Sequence, residues 1–74
     1  MGNSPEFGLA VMNRVIKKAG AERVSDEASD TLRTILEEIA NNISSNAIDL
    51  ANHAGRKTIK SEDILLAYKN TYKK

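Results

Sequence analysis

From Ser25 to Ala54 the chain carries one uninterrupted helical pattern. Ala28, Leu32, Ile35, Leu36, Ile39, Ile43, Ala47, Leu50, Ala51 and Ala54 step by threes and fours, the spacing of a single helix face. No glycine or proline breaks the run before Gly55. Ser25 is a good N-cap, and Asp26 and Glu27 follow in the first turn, where the helix dipole favours anions. About thirty helical residues span roughly 45 Å, in a chain of only 74. The short segments on either side cannot wrap such a rod, so its apolar stripe must be covered by another chain. Asn41, Asn42, Asn46 and Asn52 are mediocre helix formers; packing, more than propensity, is expected to hold this helix.

The flanks read as two shorter helices. Leu9, Met12, Val15, Ile16 and Ala19 share one face, with Arg14, Lys17 and Lys18 off it, and Gly20 supplies a stop. Beyond Gly55, Ser61 or Lys60 begins a last helix with Glu62 and Asp63 in its first turn. Ile64, Leu65, Ala67 and Tyr68 give that helix an apolar side. Between the two lies Arg56 to Lys60, where β-branched Thr58 and Ile59 predict a brief extended segment. Residues 1–7 (MGNSPEF) show no periodicity and resemble an expression-vector remnant. The fold is therefore sought in residues 8–74, as one all-α domain of short, long and short helix.

Composition excludes several classes. There is no cysteine, so no disulfide and no thiolate metal site. The lone histidine, His53, has no clustered co-ligands, and no metal or other cofactor is expected. Glu37 and Glu38 are adjacent and point different ways on a helix, which makes a poor acid–base pair. No nucleophile–base set is present, so the chain does not read as an enzyme, and no small-molecule substrate is expected. No apolar run approaches the ~20 residues of a membrane span, and no signal-peptide pattern is visible. The expectation is an intracellular, cytoplasmic protein. Small scaffolds without staples gain stability by oligomerising.

The net charge of +1 hides a segregation. Residues 1–24 carry +2, residues 25–54 carry −5 and residues 55–74 carry +4. Clustered charge of this kind marks polyanion binding better than total charge does. The densest cluster is HAGRKTIKSEDI, His53 to Ile64, a loop with Arg56, Lys57 and Lys60 around Thr58 and an acidic pair following at once. Phosphate binding needs cations and backbone N–H groups and no base code. For Lys18, Lys69, Lys73 and Lys74 an ordinary solvated face accounts for the charge equally well.

That loop, together with KKAGAERVSDEA (Lys17 to Ala28), closely resembles the archaeal histones. The resemblance covers about residue 9 to the C-terminus and preserves the long-helix spacing between the two blocks. It implies the histone fold, as an intertwined head-to-tail dimer whose long helices cross. The first loop of one chain then lies beside the second loop of the other, and DNA bends around the dimer. By resemblance, Arg23 enters the minor groove and Thr58 of the partner chain braces it. Lys57 and Arg14 match phosphate contacts, and Lys17 and Lys60 join them as DNA-binding candidates. Arg56 and Asp63 match an ion pair tying the second loop to the last helix. Leu50, His53, Asp63 and Leu66 match the contact that joins dimers. Gly20 matches a glycine that lets neighbouring turns stack. The dimer core is expected from Leu32, Ile35, Leu36, Ile39, Ile43 and Ala47.

The implied function is packaging of duplex DNA with little sequence preference, on the chromosome or nucleoid, by a homodimer that builds larger nucleosome-like assemblies. Other histone paralogues are further expected partners. Two other readings stand beside it: a histone-fold subunit of a transcription or repair complex working as a heterodimer, and a coiled-coil adaptor with no nucleic-acid role. The chain departs from many relatives at Asn41, Asn42, Asn46 and Asn52, where charged residues are common. Leu65 stands at an often acidic position. Few salt bridges between stacked dimers are therefore expected.

Overall fold

The computed structural model describes residues 8–73. The vector-remnant reading of residues 1–7 lies outside them, as does Lys74. Three α-helices follow in order: α1 (Leu9–Lys18), α2 (Asp26–His53) and α3 (Ser61–Tyr72). Among the described residues no strand forms. Thr58 lies in a bend and Ile59 has no regular structure, so the brief extended segment is not part of a strand. No helix is long and apolar enough to cross a membrane among the described residues.

The helix boundaries follow local chemistry. Ser25 Oγ accepts the Ala28 N–H at 3.0 Å, satisfying one of the four orphan donors of α2. Both α1 and α2 end in the same motif. After α2, Gly55 N–H donates to Asn52 O and Arg56 N–H to Ala51 O, each at 2.9 Å. After α1, Gly20 N–H donates to Lys17 O at 3.0 Å and Ala21 N–H reaches Ile16 O at 3.5 Å. This pairing of the last carbonyls requires a left-handed residue just past the helix. Gly20 at φ +125° and Gly55 at φ +73° supply it.

The chain divides into two compact units, Met1–Glu38 and Ile39–Lys74. In the first, Met12 of α1 and Ser29 of α2 are the buried residues. Ser29 is 1% exposed, and its hydroxyl finds no hydrogen-bond partner. Arg33 is held on its own helix between Asp30 and Glu37, the Glu37 contact at 3.3 Å. Hydrogen bonding from Asp30, ahead of its charge and that of Glu37, raises the guanidinium pKa. In the second unit Ala47, Ala51 and Ala67 are buried. Asn46 Nδ2 donates to Thr71 Oγ1 at 2.9 Å, and Asn42 Nδ2 reaches the Tyr72 hydroxyl at 3.5 Å.

On α3 the chain itself buries Ala67 and Asp63, the latter paired with Arg56, while the apolar Ile64, Leu65 and Tyr68 are exposed. The large apolar residues of α2 also stay uncovered. Ile35 is 47% and Ile48 48% exposed, while the helix buries only Ser29, Ala47 and Ala51. Leu32, Leu36, Ile39 and Ile43 are half-buried. A long helix that hides its small residues and shows its large ones has an unmet apolar face.

Candidate nucleic-acid interface

The loop between α2 and α3 is built around one guanidinium. Arg56 Nη1 and Nη2 each donate to an oxygen of Asp63 at 2.9 Å. Nη1 also donates to the Thr58 carbonyl at 3.0 Å. Asp63 Oδ2 accepts a further bond, from the Lys60 N–H at 2.8 Å. The Asp63 carboxylate reaches back from the first turn of α3 in the manner of a capping box. One side chain thereby fixes both ends of the loop, since it holds Arg56 at the entry and Lys60 at the exit. A two-pronged guanidinium–carboxylate pair is stronger and more directional than a lysine contact.

The electrostatics follow from this geometry. The Arg56 hydrogen bonds, then the Lys60 N–H, hold the Asp63 carboxyl down at about 2 from an ordinary 3.8. Burial opposes the shift and is outweighed; the Arg56 and Lys60 charges add to it. Reciprocally, Asp63 raises the Arg56 pKa above its ordinary value. Arg56 is thus committed inward. Lys57, Thr58 and Lys60 are exposed on the outside of the same loop. Among the described residues Lys57 has no side-chain salt bridge.

The first unit offers a second basic surface. Arg14 and Lys17 are exposed on α1, and with Lys18 they ring a shallow apolar depression formed by Val11 and Val15. Arg23 is exposed in the link between α1 and α2. Gly20, three residues earlier, has open space where a side chain would start.

The other expected contact residues also have definite places. Leu50 is half-buried, His53 is the exposed last residue of α2, and Leu66 is exposed on α3. Asp63 is buried and already accepts three hydrogen bonds within its own chain. A carboxylate offers about four acceptor positions, so roughly one remains. Among the described residues no group of three or more His, Cys, Asp or Glu could hold a metal ion.

Two features stand outside the sequence motifs. The Asp30–Arg33–Glu37 cluster follows i, i+3 and i, i+4 spacing, a signal that could have found it. It removes Arg33 from the free cations. The Asn42 and Asn46 contacts with Tyr72 and Thr71 join residues 30 and 25 positions apart, and no local signal announces them.

Comparison with known proteins agrees with this architecture. The chain is 50% identical over 64 residues to a subunit of the archaeal histone HAN1 of Thermococcus zilligii, covering 86% of this chain and 96% of that protein. It is 48% identical over 62 residues to probable archaeal histone 3 of Methanocaldococcus jannaschii, covering 84% and 92% respectively. Residues 5–68 match the family described as histone-like transcription factor (CBF/NF-Y) and archaeal histone. With three helices in short, long and short order and a match across most of its length, the chain belongs to that family, a histone-fold family of DNA-binding proteins and not of enzymes.

Proposed function

We propose that this chain packages duplex DNA as a homodimer that wraps and bends it with little sequence preference. The observation that carries the reading is the division of labour in the α2–α3 loop. Arg56 is committed to holding the loop, and Lys57 and Lys60 are left exposed on its outside. A braced loop presenting cations suits phosphates, which carry no sequence information. In this reading Lys57, Lys60, Arg14 and Lys17 take phosphates, Arg23 enters the minor groove, and Thr58 braces it from the partner chain. Arginines set into each inward-facing minor groove, without base-specific contacts, are how nucleosomal histones hold wrapped DNA, and DNA bendability then sets preference.

The uncovered stripe of α2 supports the dimer. Covering the exposed half of Ile35 contributes roughly 1 kcal/mol, with Leu32, Leu36, Ile39 and Ile43 completing the interface; Ala47, expected there from the sequence, is already fully buried within its own chain. Larger assemblies form when Leu50, His53, Asp63 and Leu66 of one dimer meet those of the next. The open space at Gly20 lets neighbouring turns approach. The protein then resides on the chromosome. A second reading is pairing with a histone paralogue, favoured by the Thermococcus zilligii relative's being named as one subunit of its histone.

Nuclease digestion of the protein on long duplex DNA tests the proposal. Wrapping gives protected fragments of one length or a regular ladder. Random-length digestion at saturating protein refutes wrapping, and a chain that dimerises only with an added paralogue moves the conclusion to the second reading.

A further inference from the structure

We propose that Asp26 sets the strength of the Arg14 phosphate contact, because the Arg14 guanidinium is shared between this carboxylate and the DNA. Two depressions meet at Arg14. One is formed by Val11, Arg14, Val15, Lys17 and Lys18, and it holds three cations and no acid. The other is a cleft of 310 Å³ between α1 and the start of α2, formed by Leu9, Ala10, Asn13, Arg14, Asp26 and Ser29. Arg14 is the one residue common to both. Helix α1 carries no acid of its own, so the counter-charge in the cleft comes from α2. Both Arg14 and Asp26 are exposed, and among the described residues neither forms a salt bridge.

The helical period sets the two depressions on opposite flanks of α1, with Val11 and Val15 on one and Leu9 and Asn13 on the other. A guanidinium on a long stem at that junction has two destinations. Turned to the first flank, it stands with Lys17 and Lys18 and adds to a purely cationic surface. Turned to the second, it meets Asp26 across the cleft. The pair is exposed to water, so the attraction amounts to a factor of about 2 to 5 in an equilibrium. Each Arg14 that takes a phosphate gives up that attraction, and DNA binding is weakened by the same factor per chain. Of these three cations only Arg14 lines the cleft with Asp26, which makes it the adjustable one.

Asp26 has a plainer duty as well. It lies in the first turn of α2, where any carboxylate is favoured by the helix dipole. Glu27 shares that turn and is also exposed, yet it does not line the cleft. The two neighbours therefore separate support of α2 from an effect on Arg14. The inference rests on the packaging reading, in which Arg14 takes a phosphate. It adds that Asp26 is a positioning residue, which holds the grip of α1 below its maximum without touching DNA.

The test titrates one labelled duplex by fluorescence anisotropy at a fixed salt concentration. The proteins are the unsubstituted chain, Asp26→Asn, Glu27→Gln, Arg14→Gln, and Asp26→Asn combined with Arg14→Gln. Asp26→Asn is expected to bind tighter by about 2- to 5-fold for each of the two chains, and by clearly more than Glu27→Gln does. The gain disappears when Arg14 is replaced as well. Thermal melting without DNA is recorded on the same samples; both acid replacements lower it, a loss at the helix start that does not tighten DNA binding. Unchanged affinity of Asp26→Asn overturns the proposal. Equal gains from the two acid replacements, or a gain that survives without Arg14, overturn it in favour of general repulsion between acids and DNA. An Arg14→Gln protein with native affinity overturns instead the assignment of Arg14 to a phosphate, and lost binding by the unsubstituted protein overturns the packaging reading.

Discussion

Lys57→Gln is the sharpest probe of the proposed interface, because the structure separates this lysine from its neighbour. Arg56 carries the loop through Asp63 and the Thr58 carbonyl, while Lys57 is exposed and without a salt bridge among the described residues. Removing the Lys57 charge should leave the loop in place and remove one phosphate contact per chain, two per homodimer. Each neutralised phosphate contributes about 0.9 to the slope of log affinity against log salt, so the slope falls by roughly 1.8. Between about 50 and about 200 mM salt, the native protein should then lose roughly 12-fold more affinity than the variant does. The loss should be uniform across DNA sequences, since phosphates are common to all. Fluorescence anisotropy with a labelled duplex, titrated at four or five salt concentrations, reads both quantities. Thermal melting without DNA serves as the control and should be unchanged. Parallel slopes for the two proteins would refute the assignment of Lys57 to phosphate. A lower melting temperature would refute the separation of loop support from DNA grip.

Two further outcomes are expected. The Asp63 pKa is depressed in the fold, so its stabilisation is fully present above the ordinary 3.8 and is lost as pH falls through about 2. The stability gap between native protein and Asp63→Asn, followed by helical circular dichroism in denaturant, should be constant above pH 3.8 and close toward pH 2; a gap that persists at pH 2 contradicts the network. Gly20→Ala meets no neighbour but must adopt φ +125°, a strain of about 1–3 kcal/mol. The DNA-free melting temperature should drop by at least about 4 °C, and an unchanged melt would leave stacking as the residue's sole reason.

Local chemistry made the helices legible. Ser25, Gly20 and Gly55 mark ends that depend on one hydroxyl and two left-handed residues, and such signals sit within a turn of what they control. The Arg56–Asp63 pair was suggested by resemblance, but its third partner, the Thr58 carbonyl, depends on how the loop closes. Of the apolar residues expected on α3, Ala67 is buried and Ile64, Leu65 and Tyr68 are exposed; Asp63 is buried beside Ala67's turn because a guanidinium and a backbone N–H meet its carboxylate. The burial of Ser29 and the Asn46–Thr71 bond are products of tertiary packing and have no periodic signature.

The amide ties from α2 to Tyr72 and Thr71 have a consequence for how the protein endures its surroundings. They are hydrogen bonds between uncharged groups on an exposed face. Added salt weakens contacts between cations and phosphates over a Debye length of about 10 Å at 0.1 M, but has little purchase on a neutral amide and a hydroxyl. Concentrated electrolyte can therefore strip the polyanion away while the C-terminal helix keeps these fastenings. Release of DNA and loosening of the protein become separate events, and the chain that lets go remains ready to bind again once the electrolyte is diluted.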